Sequence, residues 1–212
     1  MPDTMIALEH APTYTAGRQT QPGDAKNPSI PVIPVDRGGR ITYHGPGQLV
    51  LYPIFKARQP VDVIKYVYAI ENSVIATLNE HYGLKGKIVK GRSGVWLDAT
   101  DTKLERKICA LGVKFARDTT LHGLALNVTT DLTGFGEIIP CGINDADVAS
   151  IEGEGIPLSP NPLTEAATYL IPQLTEELYD LRIPERTTGL SHASAREIAD
   201  LLTASDNTGA TK

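Results

Sequence analysis

A cysteine set between proline and glycine, Pro140-Cys141-Gly142, and two histidines each followed by glycine, His44-Gly45 and His122-Gly123, are the residues of this 212-residue chain with chemical potential. The histidine segments share an outline, Thr42-Tyr43-His44-Gly45 and Thr120-Leu121-His122-Gly123. Glycine has no Cβ, so the backbone there can approach a ligand closely. A thiol at the edge of such a pocket suits covalent acyl transfer, because a thiolate attacks a thioester carbonyl. A free cysteine titrates near ~8.5. No Lys or Arg lies between Arg117 and Arg182, so any charge that favours the thiolate must come from elsewhere in the fold. The same residues admit plainer roles. A lone cysteine after proline is also an ordinary core residue. The two histidines can donate to backbone or substrate, and they lack the partners that a zinc site requires, so no metal is expected. Gly38-Gly39 is not followed by the Gly-x-x-x-x-Gly-Lys pattern of a phosphate loop.

These residues must be held by strands. Met5 to Leu8 and Gln48 to Ile54 read as apolar strands, the second ending after Pro53. Gly94 to Leu97 is a third. Lys107 to Phe115 and His122 to Val128 form a further pair, joined by a turn near Arg117-Asp118. The proline-rich stretch from Gln21 to Pro34 reads as loop. Val63, Val67, Ile70, Val74, Ile75 and Leu78 recur at three- and four-residue spacings and predict a helix over 61–81, with Gly83 as its stop. A second helix starts near Pro162 and runs to about Leu178, kinked at Pro172. A short helix is expected over 193–204 and a frayed polar tail over 205–212. Strands of mixed spacing with few helices argue for an α+β fold.

The length suits one domain, 1–204, with a core of useful size. No apolar run approaches the ~18 residues that cross a bilayer, and no signal peptide is visible. Two cysteines cannot make a disulfide framework, so free thiols and a cytoplasmic location are expected. The net charge of −5 hides an asymmetry: residues 1–117 carry 16 basic against 10 acidic residues, and residues 118–181 carry 11 acidic and no Lys or Arg. The basic part, with Arg18 and Arg40 in it, could steer an acidic partner; a chance distribution over solvated surface explains it equally. Nucleic acid is not expected, since the chain is acidic and has no aromatic-basic stripe.

Four blocks, in order, carry a family resemblance. They are Arg37-Gly38-Gly39-Arg40-Ile41-Thr42-Tyr43-His44-Gly45-Pro46-Gly47-Gln48, Lys107-Ile108-Cys109-Ala110-Leu111-Gly112-Val113, His122-Gly123-Leu124-Ala125-Leu126-Asn127-Val128 and Pro140-Cys141-Gly142-Ile143. Together they resemble the lipoyl(octanoyl) transferases of lipoate biosynthesis. Weaker matches run from Leu8-Glu9-His10 through Tyr14 to Arg18, and over Gly91 to Trp96. The resemblance implies a central mixed β-sheet flanked by helices, shared with biotin and lipoate protein ligases. It implies Cys141 as nucleophile and Lys107 as its catalytic partner. An ammonium beside the thiol would favour the thiolate, and the pair would titrate as one unit. It also implies three acyl-binding segments: Arg37, Gly38, Gly39, Arg40, Ile41, Thr42, Tyr43 and His44; Ala110, Leu111 and Gly112; and Gly123, Leu124 and Ala125. Small residues there leave room for an eight-carbon chain. Backbone N–H groups near Gly142 or Leu111 could hold an oxyanion. Cys109 lies two residues from Lys107, so on a regular strand both point to one face, yet its apolar setting reads as packing.

The reaction implied moves octanoyl from octanoyl-acyl carrier protein to Cys141, then to a lysine of a lipoyl domain. The acceptors are the lipoyl domains of 2-oxoacid dehydrogenases and the glycine cleavage H protein. No cofactor is implied, because a thioester is already activated. The family usually has a strand and a helix before the segment matching Met5 to Arg18, so the chain is expected to be short at its N-terminus. An ATP-dependent lipoate or biotin ligase on the same fold, and a non-catalytic acyl- or carrier-binding module, are the rival readings.

Overall fold

A computed structural model describes residues 3–26, 28–142 and 145–183. In chain order the strands and helices are β1 (Thr4–Leu8), β2 (Thr13–Ala16), β3 (Val32–Pro34), β4 (Thr42–His44), β5 (Gln48–Ile54), α1 (Val63–Tyr82), β6 (Gly86–Val89), β7 (Arg92–Leu97), β8 (Arg106–Ala116), β9 (Thr119–Asn127), β10 (Asp147–Val148) and α2 (Pro162–Glu177). The architecture is α+β, as the strand spacing suggested. A large mixed sheet has the order β1-β5-β9-β8-β7-β6, with β10 parallel to β8. A small sheet has the order β3-β2-β4.

The β8–β9 hairpin is the spine of the large sheet. Its turn is Arg117-Asp118, with φ of 47° and 63°. Two left-handed central residues match the strand twist in a two-residue hairpin. Helix α1 forms where the apolar spacing predicts. The Asp62 side chain accepts the Lys65 N–H, and left-handed Gly83 closes the C-terminus. Its buried face, including Ile70, Val74 and Leu78, packs with α2 residues Ala166, Leu170 and Leu174 against Leu49, Leu51, Leu124 and Leu126 of the sheet. Each such side chain contributes about 1.5–3 kcal/mol of burial. Helix α2 runs on through Pro172.

A second cluster joins Tyr14, Ile41, Tyr43, Phe135 and Ile138. Tyr14 ties the small sheet to the 132–137 turn by donating to the Gly134 carbonyl at 2.7 Å. The space between the two sheets remains open as a cavity.

Several short strands were not expected. β2, β3, β4, β6 and β10 span four residues or fewer, too short for an alternating pattern to declare itself. β3 lies inside the proline-rich stretch read as loop; it is an edge strand of the small sheet, where proline is tolerated. The second correction concerns β8. Val95 pairs with Cys109 but Trp96 pairs with Lys107, so Ile108 is an extra residue in the ladder. The bulge breaks the alternation. Ile108 and Cys109 both enter the helix-side core, and Lys107 faces the cavity. Lys107 and Cys109 therefore do not share a face. The helix expected over 193–204 and the tail over 205–212 lie outside the described residues, as does Ile143. Among the described residues no helix is long and apolar enough to cross a membrane.

Candidate active site

The floor of the cavity is a patch of small residues in register across three strands. Val50 on β5 faces Ala125 on β9; Ala125 faces Ala110 on β8; Gly112 faces Gly123. All five border a space of about 530 Å³. Alternation sends Leu111 and Leu124, which also border it, into the helix-side core. The floor is smooth because β8 and β9 place Ala or Gly at the four central inward positions, 110, 112, 123 and 125. A side chain at Gly123 would strike the Leu51 carbonyl and Pro53, and one at Gly112 would meet Arg37.

The roof and walls come from the small sheet and the loop at 37–41. Arg37 is 8% exposed and spends its guanidinium on four acceptors: the carbonyls of Thr15, Gly38 and Arg40 and the Thr15 hydroxyl. It ties the loop to β2, and Gly38 N–H bonds the Val113 carbonyl of β8 at 2.9 Å. Arg40 makes a two-pronged ion pair with Asp24, whose carboxylate is buried. That hydrogen bond, first of all, holds the Asp24 carboxyl below the usual carboxylate range. Arg40 is thus an anchor of the loop, and reversing its charge would set two carboxylates against each other.

His44 is buried, and desolvation lowers its pKa to about 4. It is neutral near pH 7. A chain of amides fixes its tautomer. Asn127 Nδ2 donates to the Ala149 carbonyl, Gln48 Nε2 donates to Asn127 Oδ1, and Gln48 Oε1 lies 2.7 Å from His44 Nδ1. The carbonyl can only accept, so each link points the same way and Nδ1 carries the proton. Nε2 is left as an acceptor on a ring that borders the cavity. His10 stands beside it, with ring centroids 5.4 Å apart, and touches the Tyr52 hydroxyl at 3.3 Å.

Lys107 is 7% exposed, donates to the Ser93 carbonyl at 2.9 Å and lies 4.7 Å from the Trp96 ring centroid. The one-turn helix Pro140–Gly142, with Cys141 as its middle residue, reaches the same region. Pro140 and Lys107 border one small cavity with Thr42 and Asn127. Gly142 has φ +72°, and a side chain there would overlap the Arg40 guanidinium. A cation therefore stands beside the turn that has none near it in sequence. Cys109, by contrast, is fully buried, and burial pushes its thiol up to about 12.

Residues 1–168 match the lipoyl protein ligase A/B catalytic domain. The chain belongs to that family. It is similar to proteins named octanoyltransferase from Mycolicibacterium smegmatis (51% identical over 153 residues, 72% of this chain and 67% of that one) and Thermobifida fusca (49% over 158 residues, 73% and 66%). The octanoyltransferase of Cutibacterium acnes is 47% identical over 180 residues, 82% of this chain and 66% of that one. The chain spans about two thirds of the length of these curated relatives. Among solved structures, the bipartite lipoate protein ligase of Thermoplasma acidophilum aligns with a TM-score of 0.63 at 18% identity, covering 92% of this chain and 79% of that one. A lipoate-protein ligase A bound with ATP aligns at 0.57 and 19% identity, covering 92% and 81%. These two share the fold.

Set against the residues that the resemblance nominated, the lipoyl ligase fold brings most of them together. Arg37, Gly39, Arg40, Thr42, His44, Lys107, Ala110, Leu111, Gly112, Gly123, Leu124 and Ala125 border the cavity; Gly38, Ile41 and Tyr43 do not. Ile41 and Tyr43 pack in the second core cluster instead. His10, Tyr52 and Val50 border the cavity and were not singled out as site residues, nor was Asn127 as the anchor of the amide chain. The weak Leu8-Glu9-His10 match contained one of them and the His122–Val128 block another, Asn127, without giving either a role.

Proposed function

We propose that the protein is an octanoyltransferase that uses Cys141 as nucleophile and Lys107 as its cationic partner. The observation that carries the reading is the pairing of a smooth apolar floor, Ala110, Ala125, Gly112 and Gly123, with a buried lysine at its rim. The floor suits a flexible saturated chain. The Pro140–Gly142 turn shares a small cavity with Lys107, whose ammonium would favour a thiolate there; the adjacent Arg40 guanidinium is already paired with Asp24. The names of the curated relatives point the same way.

In the first step the Cys141 thiolate attacks the thioester carbonyl of octanoyl-acyl carrier protein. A carbon–sulfur bond to Cys141 forms, the bond to the carrier sulfur breaks, and the Lys107 ammonium gives its proton to the departing carrier thiol. In the second step the amine of a lipoyl-domain lysine attacks the Cys141 thioester. The amide forms, the carbon–sulfur bond breaks, and the amine's proton passes to the now neutral Lys107, which restores the Cys141 thiolate and the ammonium. His44, neutral, offers Nε2 as an acceptor in the cavity and no charge.

The test is intact-mass analysis of the whole chain with octanoyl-acyl carrier protein and no acceptor. One octanoyl group should be gained, removed by neutral hydroxylamine, and absent in Cys141→Ser. Cys109→Ala should be acylated normally. Addition of a lipoyl domain should discharge the adduct onto one lysine. Transfer that needs free octanoate and ATP would instead support a ligase. A label on Cys109, or transfer without an adduct, would refute the two-step scheme.

A further inference from the structure

One peptide group at the rim of the cavity stands outside the sheet. On β7, Arg92 pairs with Val89 and Val95 with Ile88, so Ser93 and Gly94 have no counterparts on β6. On the other side the β7–β8 register starts at Val95 opposite Cys109. The Ser93–Gly94 amide is thus left out of both ladders, and such groups need partners when buried. Two ionisable side chains supply them. Glu71, on the inner face of α1 and 1% exposed, accepts the Gly94 N–H at Oε1 over 2.8 Å. Lys107 donates to the Ser93 carbonyl over 2.9 Å. The N–H and the C=O belong to one amide, and its ends point in opposite directions across the trans bond. An anion at one end and a cation at the other polarise it in the same sense, so each hydrogen bond strengthens the other. The arrangement requires glycine: Gly94 has φ +112°, and a side chain there would run into the Cys109 carbonyl.

The second carboxylate oxygen of Glu71 is buried and has no hydrogen-bond partner among the described residues. A buried carboxylate so poorly served is costly unless an opposite charge stands by. Burial raises the Glu71 pKa; the Gly94 N–H and Lys107 oppose the rise. Of the neighbouring ionisable groups, all but Asp147 are otherwise engaged. Cys109 on β8 stays a neutral thiol. Arg106 on β8 is paired with Glu154, and Arg92 on β7 with Asp145. Asp147 on β10 borders the small cavity with Lys107.

Building on the acyl-transfer reading above, we propose that Glu71 is the positioning residue for Lys107, acting through the Ser93–Gly94 peptide to hold its amine at the cavity rim. Competitive labelling of amines with acetic anhydride across pH reads Lys107 without any acyl donor. Glu71→Gln keeps an oxygen for the Gly94 N–H and removes the charge. The Lys107 titration should then move down by about one pH unit, since a lost opposite charge disfavours the ammonium. Octanoyl transfer should fall about tenfold in kcat, with KM for the donor unchanged. Lys107→Met tests the pair from the other end, even if Glu71→Gln does not fold. It strands the Glu71 carboxylate, so stability should fall more steeply than in the parent as pH rises above about 4.3, the unfolded value. A group with a raised folded pKa favours the fold below that value and loses the advantage as pH climbs. If Glu71→Gln lowers the melting temperature but leaves the Lys107 titration in place, Glu71 only caps a bulge and the proposal fails. A Lys107→Met stability curve parallel to the parent's would also overturn it. If the titration moves but no form transfers octanoyl, the Glu71–Lys107 coupling stands and the acyl-transfer reading fails.

Discussion

Thr42-Tyr43-His44-Gly45 and Thr120-Leu121-His122-Gly123 look alike as sequence and differ in almost every physical respect. His44 sits in β4 at 8% exposure, with Nδ1 bound to a buried amide chain that ends on the Ala149 carbonyl. His122 has a left-handed φ of 60°, a side chain 25% exposed, and a hydrogen bond to exposed Asp36, which Lys114 also pairs with. Both border the cavity. One histidine is a fixed neutral acceptor in the wall; the other hydrogen-bonds the solvated Asp36–Lys114 pair at the mouth. The local sequence set the residue types and their spacing. Burial and partners set the chemistry.

The largest break in this comparison should come from His44→Ala. It empties a buried site and leaves Gln48 Oε1 without its donor, so a loss of about 4 kcal/mol is expected in urea unfolding. Octanoyl transfer should fall with it. Gln48→Leu should reproduce part of that loss, and a result near zero would sever the proposed amide chain.

The second test is pH. His44 has a folded pKa near 4, below the ordinary value of 6.5. A depressed folded value favours the fold above the unfolded value, and that advantage is lost as pH falls toward the folded one. Stability should therefore drop between pH 6.5 and pH 4 by up to about 3 kcal/mol. Denaturation midpoints across that window should lose most of the slope in His44→Gln, with His10, also lowered by burial, supplying the rest, and should keep it in His122→Gln. An unchanged slope in His44→Gln would assign the titration to another group.

The glycines that follow the histidines give a finer contrast. A Cβ at Gly123 meets the main-chain carbonyl of Leu51 and Pro53, which cannot step aside. A Cβ at Gly45 meets the ring of Tyr43, which is held in the second core cluster against Tyr14 and Phe135. Gly123→Ala and Gly45→Ala should each cost about 1–3 kcal/mol by thermal melt, the first by pushing on main chain and the second by displacing a core ring. A loss confined to Gly123→Ala would mean that the Tyr43 ring gives way where the strand cannot.

The smallest effect belongs to His122→Ala, because its hydrogen bond to exposed Asp36 is open to solvent. A loss of stability as large as that of the glycine variants would place His122 among the wall residues after all.

Some of this was legible in the chain. The helix read over 61–81 from six apolar residues at helical spacing, with Gly83 as its stop, is α1, and the structure adds Asp62 as its N-cap. The β8–β9 hairpin followed from two apolar runs about a polar turn, because a long local pattern leaves few alternatives. The blocks that nominate Lys107, Ala110, Gly112, Gly123 and Ala125 also predicted which residues gather at the cavity. Sequence alone therefore determined the long elements, the small-residue floor and the candidate pair Cys141 and Lys107. Tertiary structure decided the rest. The short strands of the small sheet exist only because the second core cluster of Tyr14, Tyr43 and Phe135 buries them. The bulge at Ile108, which no periodicity announces, turned Cys109 into the core and Lys107 toward the cavity. The cation beside the Pro140–Gly142 turn comes from Arg40, about a hundred residues away in sequence. The amide that joins Glu71 to Lys107 lies between two segments remote in the chain. Each depends on contacts between distant segments, and those arise only once the sheet has closed over its core.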